Sequence, residues 1–307
     1  MTRRRTIAAG ALPRRHEARL GWMMALPALS VIALIALGPV LWAVWESLYL
    51  HDLRMPWLGR RFIGLQNYVE AFSDPRFWGA IGHTVAFAAV SVTSELVLGL
   101  ALAAAVDSMM RGRGVVRTAM LLPWAVPTVV VGLVWRFLFE TPGGLMNTML
   151  VRSGATPPIW FADPLAAWVP VVLADVWKTT PFVALLLLAG LQNIDRTLYE
   201  AARIDGASAW RQFTAITLPL LKPALLVALV FRTVDAFRVF DVIFVMTSGG
   251  PGTATETIAM YTFSALLENL RFGYGSALSV IIFTVTFVLA LFAIRLMGRR
   301  ALVEPSS

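Results

Sequence analysis

Long apolar stretches alternate with short polar connections along almost the whole chain. A bilayer core requires about 20 mostly apolar residues per helix, so each stretch of that length predicts a membrane-spanning helix. Six spans are predicted, at residues 22–48, 80–106, 116–138, 166–190, 220–246 and 273–296. Asp175 and Lys178 interrupt the fourth span. The fifth span carries four charged residues, Arg232, Asp235, Arg238 and Asp241.

Composition supports an all-α integral membrane protein. Of the 307 residues, 58% are apolar and 14% are charged, whereas soluble domains are about 25% charged. The net charge of +8 does not indicate nucleic-acid binding, because most cations lie at the edges of apolar stretches rather than in one patch. The absence of cysteine excludes disulfides and thiolate metal sites, and the three histidines lack ligand spacing, so no metal site is expected.

The distribution of Lys and Arg predicts the orientation, because cationic connections stay in the cytoplasm. With the N-terminus inside, sixteen of the 26 Lys and Arg fall on the cytoplasmic side, six fall outside and four fall within spans. Both termini are therefore predicted to be cytoplasmic. The predicted divisions are tails at 1–21 and 299–307 around a transmembrane domain at 22–298. On the outer side, four tryptophans are predicted at the headgroup level: Trp57, Trp78, Trp160 and Trp168.

A charged segment, residues 195–219, separates the fourth and fifth spans. Asp195 is suited to cap one short helix, Gly206 to form a left-handed turn, and Ser208 to cap a second short helix through Thr217. Pro219 is then expected to begin the next span. By periodicity alone, this segment is equally compatible with a docking surface for a partner protein and with an amphipathic helix lying on the inner leaflet.

The spacing within the segment carries a resemblance. Glu200-Ala201-Ala202 is followed after three residues by Gly206 and, after nine more, by Ile216, one residue and Leu218-Pro219. This pattern resembles the EAA motif of binding-protein-dependent ABC importer permeases. Three further segments are similar to the carbohydrate-uptake branch of these permeases: GLQNY from Gly64, LPWA from Leu122 and GGPG from Gly249. The segment from Asp175 to Leu191 is similar to trehalose-type sugar permeases of actinobacteria. His83 departs from the branch, which usually has Asn there.

The resemblance implies a type I ABC importer transmembrane fold with a core region at about 80–296, in a bacterial cytoplasmic membrane. It implies a heterodimer with a second permease, two copies of a cytoplasmic ATPase that bind ATP and Mg²⁺, an extracytoplasmic solute-binding protein, a sugar substrate and surrounding lipid. The chain itself is not expected to be an enzyme, because neither Lys178 nor Lys222 lies in a phosphate-binding loop. The residues implied in coupling to the ATPase are Tyr199, Glu200, Ala201, Ala202, Arg203, Asp205 and Gly206.

Charges within a span mark either function or buried pairing. A substrate pathway is therefore predicted from these charges and from nearby aromatic rings. Its candidates are Glu95, Trp177, Lys178, Arg232, Asp235, Phe237, Arg238, Phe240 and Asp241. The alternative is a structural ladder of ion pairs at i, i+3 spacing, with Asp175 and Lys178 as a second such pair. For the substrate, a glycerol phosphate or other polyol is the alternative to a sugar. For the mechanism, the alternative is an ion-coupled secondary transporter.

Overall fold

The computed structural model describes residues 14–109 and 111–301, and these residues are largely helical. The helices are α1 (Arg14–Glu46), α2 (Gln66–Ser73), α3 (Pro75–Ser108), α4 (Arg113–Ala125), α5 (Thr128–Phe139), α6 (Leu145–Arg152), α7 (Trp168–Gln192), α8 (Arg196–Ile204), α9 (Ala209–Gln212), α10 (Leu218–Ala236), α11 (Asp241–Met246), α12 (Ile258–Phe263) and α13 (Phe272–Ala301). A small antiparallel hairpin pairs β1 (Tyr49–Leu50) with β2 (Arg61–Phe62). The predicted all-α membrane fold is confirmed. Residues 1–13 and 302–307, which belong to the predicted tails at 1–21 and 299–307, lie outside the described residues.

Five helical stretches in the described part of the chain are long and apolar enough to cross a membrane. They are Gly21–Glu46, Pro75–Ser108, Trp168–Gln192, Ala209–Ala236 and Phe272–Phe292. Each overlaps a predicted span. The remaining predicted span, at 116–138, is formed by α4 and α5, which are bent by 86° relative to each other.

The bend between α4 and α5 follows from one proline. Pro127 has no N–H and restricts the residue before it to extended backbone, and Val126 has φ −69° and ψ 132°. Helix α4 therefore ends at Ala125, and α5 begins after Pro127. The sixth predicted span exists, but it is broken rather than continuous.

The fifth predicted span, at 220–246, is shifted in the structure. The helix ends at Ala236, and a separate short helix, α11, begins at Asp241. A continuous helix would carry Arg238 and Asp241 through the same apolar stretch as Arg232 and Asp235, at a cost of about 2.5 to 3.5 kcal/mol per charge. Because α10 ends four residues after the buried Arg232, Arg238 and Asp241 lie beyond the helix at exposed positions.

The beginning of the same span also differs from the prediction. The chain is helical without interruption from Ala209 to Ala236, so Pro219 does not separate the preceding segment from the span. A π-helical stretch at Phe213–Thr217 ends two residues before Pro219. Wider turns at this position accommodate the missing N–H and the bulk of the Pro219 ring.

Helices α3, α7 and α10 form the centre of the molecule. The α3–α7 pair makes the most extensive contact, and α10 packs against both helices. Close approach depends on Gly99 in α3, because a Cβ there would lie 2.8 Å from Val183 Cγ1 and 3.2 Å from the Ala184 backbone nitrogen. Helix α1 packs mainly against α13 and has no buried residue in its apolar window. The core is therefore built from the later spans, with α1 at the periphery.

The four tryptophans of the predicted outer connections fall into two groups. Trp57 and Trp78 expose most of their surface. Trp160 is partly buried and donates to Asn147 Oδ1 at 2.7 Å, and Trp168 donates to the Ala254 carbonyl at 3.0 Å. The exposure of the first pair leaves both rings free for the predicted headgroup position, whereas the second pair bonds to other segments of this chain.

Candidate functional site

A buried ionic cluster joins the three central helices. Arg232 on α10 is 1% exposed, and its guanidinium donates to Glu95 Oε1 on α3 at 2.7 Å and to Asp175 Oδ2 on α7 at 3.2 Å. It also bonds to Asp235, one turn further along α10. Thr179 on α7 donates to Glu95 Oε1 at 2.6 Å. A charge inside a membrane protein requires such partners, since an unpaired one is costly.

A cavity of about 130 Å³ opens beside this cluster. Its lining is predominantly polar, and the charged members come from α7, from the last turns of α10, from the connection after α10 and from the start of α11. They are Asp175, Lys178, Arg232, Asp235, Arg238 and Asp241. Three cations and three carboxylates give the lining no net formal charge. The cavity therefore offers donors and acceptors without a strong preference for an ion of either sign.

Lys178 connects this cavity to the broken span. Its ammonium donates to the Val126 carbonyl at 2.8 Å and to the Trp124 carbonyl at 3.3 Å. Carbonyls in the last turn of a helix have no intrahelical donor, and a cation near them is favoured by the helix dipole. The predicted Asp175–Lys178 ion pair is wrong: Asp175 bonds to Arg232, and Lys178 caps α4.

A strip of three aromatic rings lies about one helical turn from cavity residues of α7 and α10, outside the cavity lining itself. Trp124 of α4 stacks on Phe182 of α7 with a centroid distance of 5.7 Å, and Phe182 lies 5.2 Å from Phe231 of α10. Phe182 is four residues from Lys178, and Phe231 is four residues from Asp235, so each ring shares a helix face with a cavity residue. Trp124 and Phe231 are half exposed in this chain. The strip therefore presents an apolar surface, accessible at Trp124 and Phe231, close to the charged residues of the cavity.

The structure brings together most of the predicted substrate-pathway residues. Six of the nine line the cavity: Lys178, Arg232, Asp235, Arg238, Phe240 and Asp241. Glu95 lies behind it, fully buried and bound to Arg232. The cavity lining does not include the other two. Phe237 is buried in a separate apolar cluster with Phe77 and Ile258, and the ring centroid of Trp177 lies 6.1 Å from that of Trp135.

Sequence reasoning missed several members of this site. Asp175 was expected to pair with Lys178, and Thr179, Trp124, Phe182 and Phe231 were not among the candidates. A helical signal for part of the set was available, because Asp175, Thr179 and Phe182 recur at intervals of three or four residues and therefore lie on one face of α7. The contribution of Trp124 had no such signal, since it depends on the bend after α4.

The charged segment between α7 and α10 forms two capped helices, as predicted. Asp195 accepts from the Thr197 N–H at 2.9 Å, and this hydrogen bond lowers the pKa of its carboxyl. Gly206 has φ +76°, and Ser208 caps α9 by accepting from the Arg211 N–H at 3.3 Å. Ile204 is 87% exposed at the end of α8. The segment therefore presents a short, defined surface at one end of the molecule.

Residues of the EAA-like motif lie on two sides of α8. Arg203 and Glu200 line a cavity of about 550 Å³ between α8 and the ends of α3 and α7. Tyr199 also faces this side, and its hydroxyl lies 2.8 Å from Thr217 Oγ1. Ala201, Asp205 and Gly206 are exposed, and Ala202 is half-buried. Tyr199 thus braces α8 against the beginning of α10, so a displacement of α8 would be transmitted to that span.

Ion pairs also organise the opposite end of the molecule. Arg76 bonds to Glu256 through two hydrogen bonds of 2.7 Å. Asp52 accepts from Arg54 at 2.7 Å, which lowers the pKa of the Asp52 carboxyl, and its other cationic neighbour is Arg271 at 3.7 Å. His83, the residue that departs from the resembled branch, lies 3.1 Å from the Glu256 carbonyl. These contacts tie the hairpin and the connections to α3 and α13.

The described residues contain no group of three His, Cys, Asp or Glu side chains able to hold a metal ion. Their fold combines membrane-length helices, one broken span, a charged cavity among the central helices and a capped segment at one end. This combination defines an integral membrane transport subunit. A model of the family "Binding-protein-dependent transport system inner membrane component" matches residues 95–302, and the chain belongs to this family. Because the chain belongs to this family, the alternative of an ion-coupled secondary transporter no longer applies.

Two curated relatives are similar to this chain over nearly its full length. The chain is 47% identical over 277 residues to the trehalose/maltose transport system permease protein MalF of Thermococcus litoralis, covering 90% of this chain and 91% of that protein. It is 43% identical over 292 residues to the trehalose transport system permease protein SugA of Mycobacterium tuberculosis, covering 94% and 92%. A crystal structure of a bacterial ABC transporter involved in alginate import has a TM-score of 0.78 at 24% identity, covering 92% of this chain and 96% of that one, and so shares the fold.

Proposed function

We propose that this chain is one permease subunit of an ATP-driven sugar importer and that the cavity with its aromatic strip is its half of the sugar site. The observation that carries the proposal is a charge-balanced polar cavity with three packed rings close to it, two of which are half exposed. A sugar ring has hydroxyls at its edge and C–H groups on its faces. It is therefore matched by hydrogen-bonding groups beside a flat aromatic surface.

The cavity favours a neutral substrate over a phosphate ester. Arg232, one of two arginines that could bind a phosphate, is occupied by Glu95, Asp175 and Asp235. Arg238 faces the same cavity as Asp235 and Asp241. A phosphate would meet these carboxylates, whereas bidentate recognition requires an arginine free to bond to it. The relatives named for trehalose and maltose support a disaccharide of that type.

The size of the cavity supports a shared translocation path. Sites for small organic ligands occupy about 300 to 1,000 Å³, and this chain alone supplies about 130 Å³. The half-exposed rings of Trp124 and Phe231 are available to complete a larger site. A second permease subunit is the partner that would supply the other half. A solute-binding protein would deliver the sugar from outside.

The energy would come from a separate ATPase, present in two copies that bind ATP and Mg²⁺. The supporting feature in this chain is the segment of α8, Gly206 and α9, with Ile204 exposed and Tyr199 held by Thr217. Docking of an ATPase onto the exposed side of α8 would move the beginning of α10. Helix α10 carries Arg232 and Asp235, so such a movement would reach the cavity and favour one access state over the other.

The test is sugar uptake by cells or proteoliposomes carrying Phe182→Ala and Asp235→Asn variants. Loss of one stacking ring is worth about 0.5 to 1.5 kcal/mol, so the Michaelis constant for trehalose or maltose should rise about 2- to 10-fold in Phe182→Ala. The matched control is Phe287→Ala, which removes a half-exposed ring of α13 that stacks on Phe283, away from the cavity. Unchanged uptake constants in both cavity variants at full expression would contradict the proposed site.

A further inference from the structure

The break between α4 and α5 leaves carbonyl groups that need donors. In a continuous helix, Thr128 N–H and Val130 N–H would bond to the carbonyls of Trp124 and Val126. The extended backbone at Val126 and Pro127 separates these groups. An unpaired carbonyl within the membrane costs several kcal/mol unless another group satisfies it.

One side chain satisfies both carbonyls. The Lys178 ammonium donates to Val126 at 2.8 Å and to Trp124 at 3.3 Å. An ammonium has three donors in total. Among the described residues, Lys178 makes no salt bridge, although it lines the same cavity as Asp175, Asp235 and Asp241. Lys178 therefore bonds to the bend while facing the cavity.

We propose that Lys178 is a positioning residue that fixes the bend between α4 and α5 and thereby places the Trp124 ring against Phe182, close to the cavity. The Trp124 carbonyl accepts from Lys178 while its ring stacks on Phe182, so a shift of this backbone moves the ring. Helix α5 packs against α11, which begins at the cavity residue Asp241. The bend is thus linked to the cavity in two ways, through the Trp124 ring, which stacks on α7, and through the contact of α5 with α11.

The consequence for uptake depends on the proposed sugar site, but the bend can be measured without any substrate. Because the chain has no cysteine, Val115→Cys and Phe137→Cys can be introduced as the chain's only spin-label sites. Both positions are exposed, at 76% on α4 and 67% on α5. Pulsed electron–electron double resonance on the assembled transporter in nanodiscs then measures the distance between the two spin labels, and therefore across the bend. Variants with only one of the two cysteines control for labels on partner subunits.

Lys178→Met is expected to broaden or shift this distance distribution, whereas Lys178→Arg, which retains donors, should preserve it. The matched control is Lys222→Met, which removes the other lysine of the chain, exposed on α10. In uptake, Lys178→Met should raise the Michaelis constant for sugar about 3-fold or more. Adding Trp124→Ala should then increase it little further, since both changes remove the same ring contact.

If the labelled protein with Lys178→Met has the same distance distribution as the labelled protein that retains Lys178, the inference is overturned. An equal disturbance by Lys178→Arg would also overturn it, because the bend would then depend on something other than donors at this position. A changed distance with an unchanged uptake constant would support the role of Lys178 in the bend and contradict the sugar site. The two proposals therefore fail separately.

Discussion

Arg232 shows how a single charged residue is accommodated inside this protein. It is 1% exposed and bonds to carboxylates from three helices, including the fully buried Glu95. Removing one member of a buried ion pair leaves an uncompensated charge, which costs about 3 to 5 kcal/mol. The cluster therefore fixes the relative positions of α3, α7 and α10 as well as lining the cavity.

Arg232→Met is accordingly expected to destabilise the protein strongly, because it leaves Glu95 and Asp175 buried without a cation. A double variant, Arg232→Met with Glu95→Leu, should recover part of the loss by removing both charges. The measurement is the thermal unfolding midpoint of the purified transporter. Arg152→Met, at an exposed position on α6, is the control. Equal midpoints for Arg232→Met and the control would contradict the structural importance of the cluster.

At the scale of elements, the segment of α8, Gly206 and α9 depends on local backbone geometry more than on packing. Gly206 has φ +76°, and no heavy atom lies within 4 Å of the position that a Cβ would occupy. A substitution is therefore limited by backbone strain and not by space. A left-handed conformation is accessible to Gly without steric strain and to Asn at a modest cost, whereas branched or bulky residues rarely adopt it.

This geometry distinguishes two substitutions at one position. Gly206→Leu should disturb the turn and reduce both co-purification of the partner ATPase and sugar uptake, while Gly206→Asn should retain most of each. The abundance of the chain in the membrane should remain similar in the two variants, because Gly206 is exposed and contacts no core residue. Co-purification that is equally complete with Leu and with Asn would show that the turn is not required for docking.

The whole molecule has its central helices packed and one side of its cavity open. Such an arrangement is expected of a subunit that completes its pathway with a partner. Its orientation in the membrane rests on the excess of Lys and Arg in the connections predicted to be cytoplasmic. By this prediction, the end that carries α8 and α9 faces the cytoplasm, and the end that carries the hairpin and α2 faces outside.

Cysteine accessibility tests this orientation directly, since the chain provides no background thiol. Trp57→Cys, at a position 77% exposed near the hairpin, should react with a membrane-impermeant maleimide added to intact spheroplasts. Arg111→Cys, exposed in the connection between α3 and α4, should react only after the membrane is permeabilised. The reverse pattern would invert the predicted topology.

The amino-acid sequence alone predicts which parts of this chain form membrane-length helices and where its capped segment lies. Apolar length depends on composition alone, and the caps at Asp195 and Ser208 and the turn at Gly206 depend on neighbours within a few residues. Three boundaries differ from the prediction. Pro127 breaks one span, the helix of the fifth span continues through Pro219 at its beginning, and that helix ends at Ala236, where charges would otherwise enter the apolar region.

Which side chains share a site depends instead on how the helices pack. Glu95 and Arg232 are 137 residues apart in the chain, and they meet because Gly99 allows α3 and α7 to pack closely beside α10. Trp177 and Phe182 are equally plausible stacking residues in the sequence, yet about 100° of rotation per residue places Trp177 away from the face that carries Lys178 and Phe182. Periodicity defines the faces of a helix, but only packing against other helices selects the face that lines a cavity.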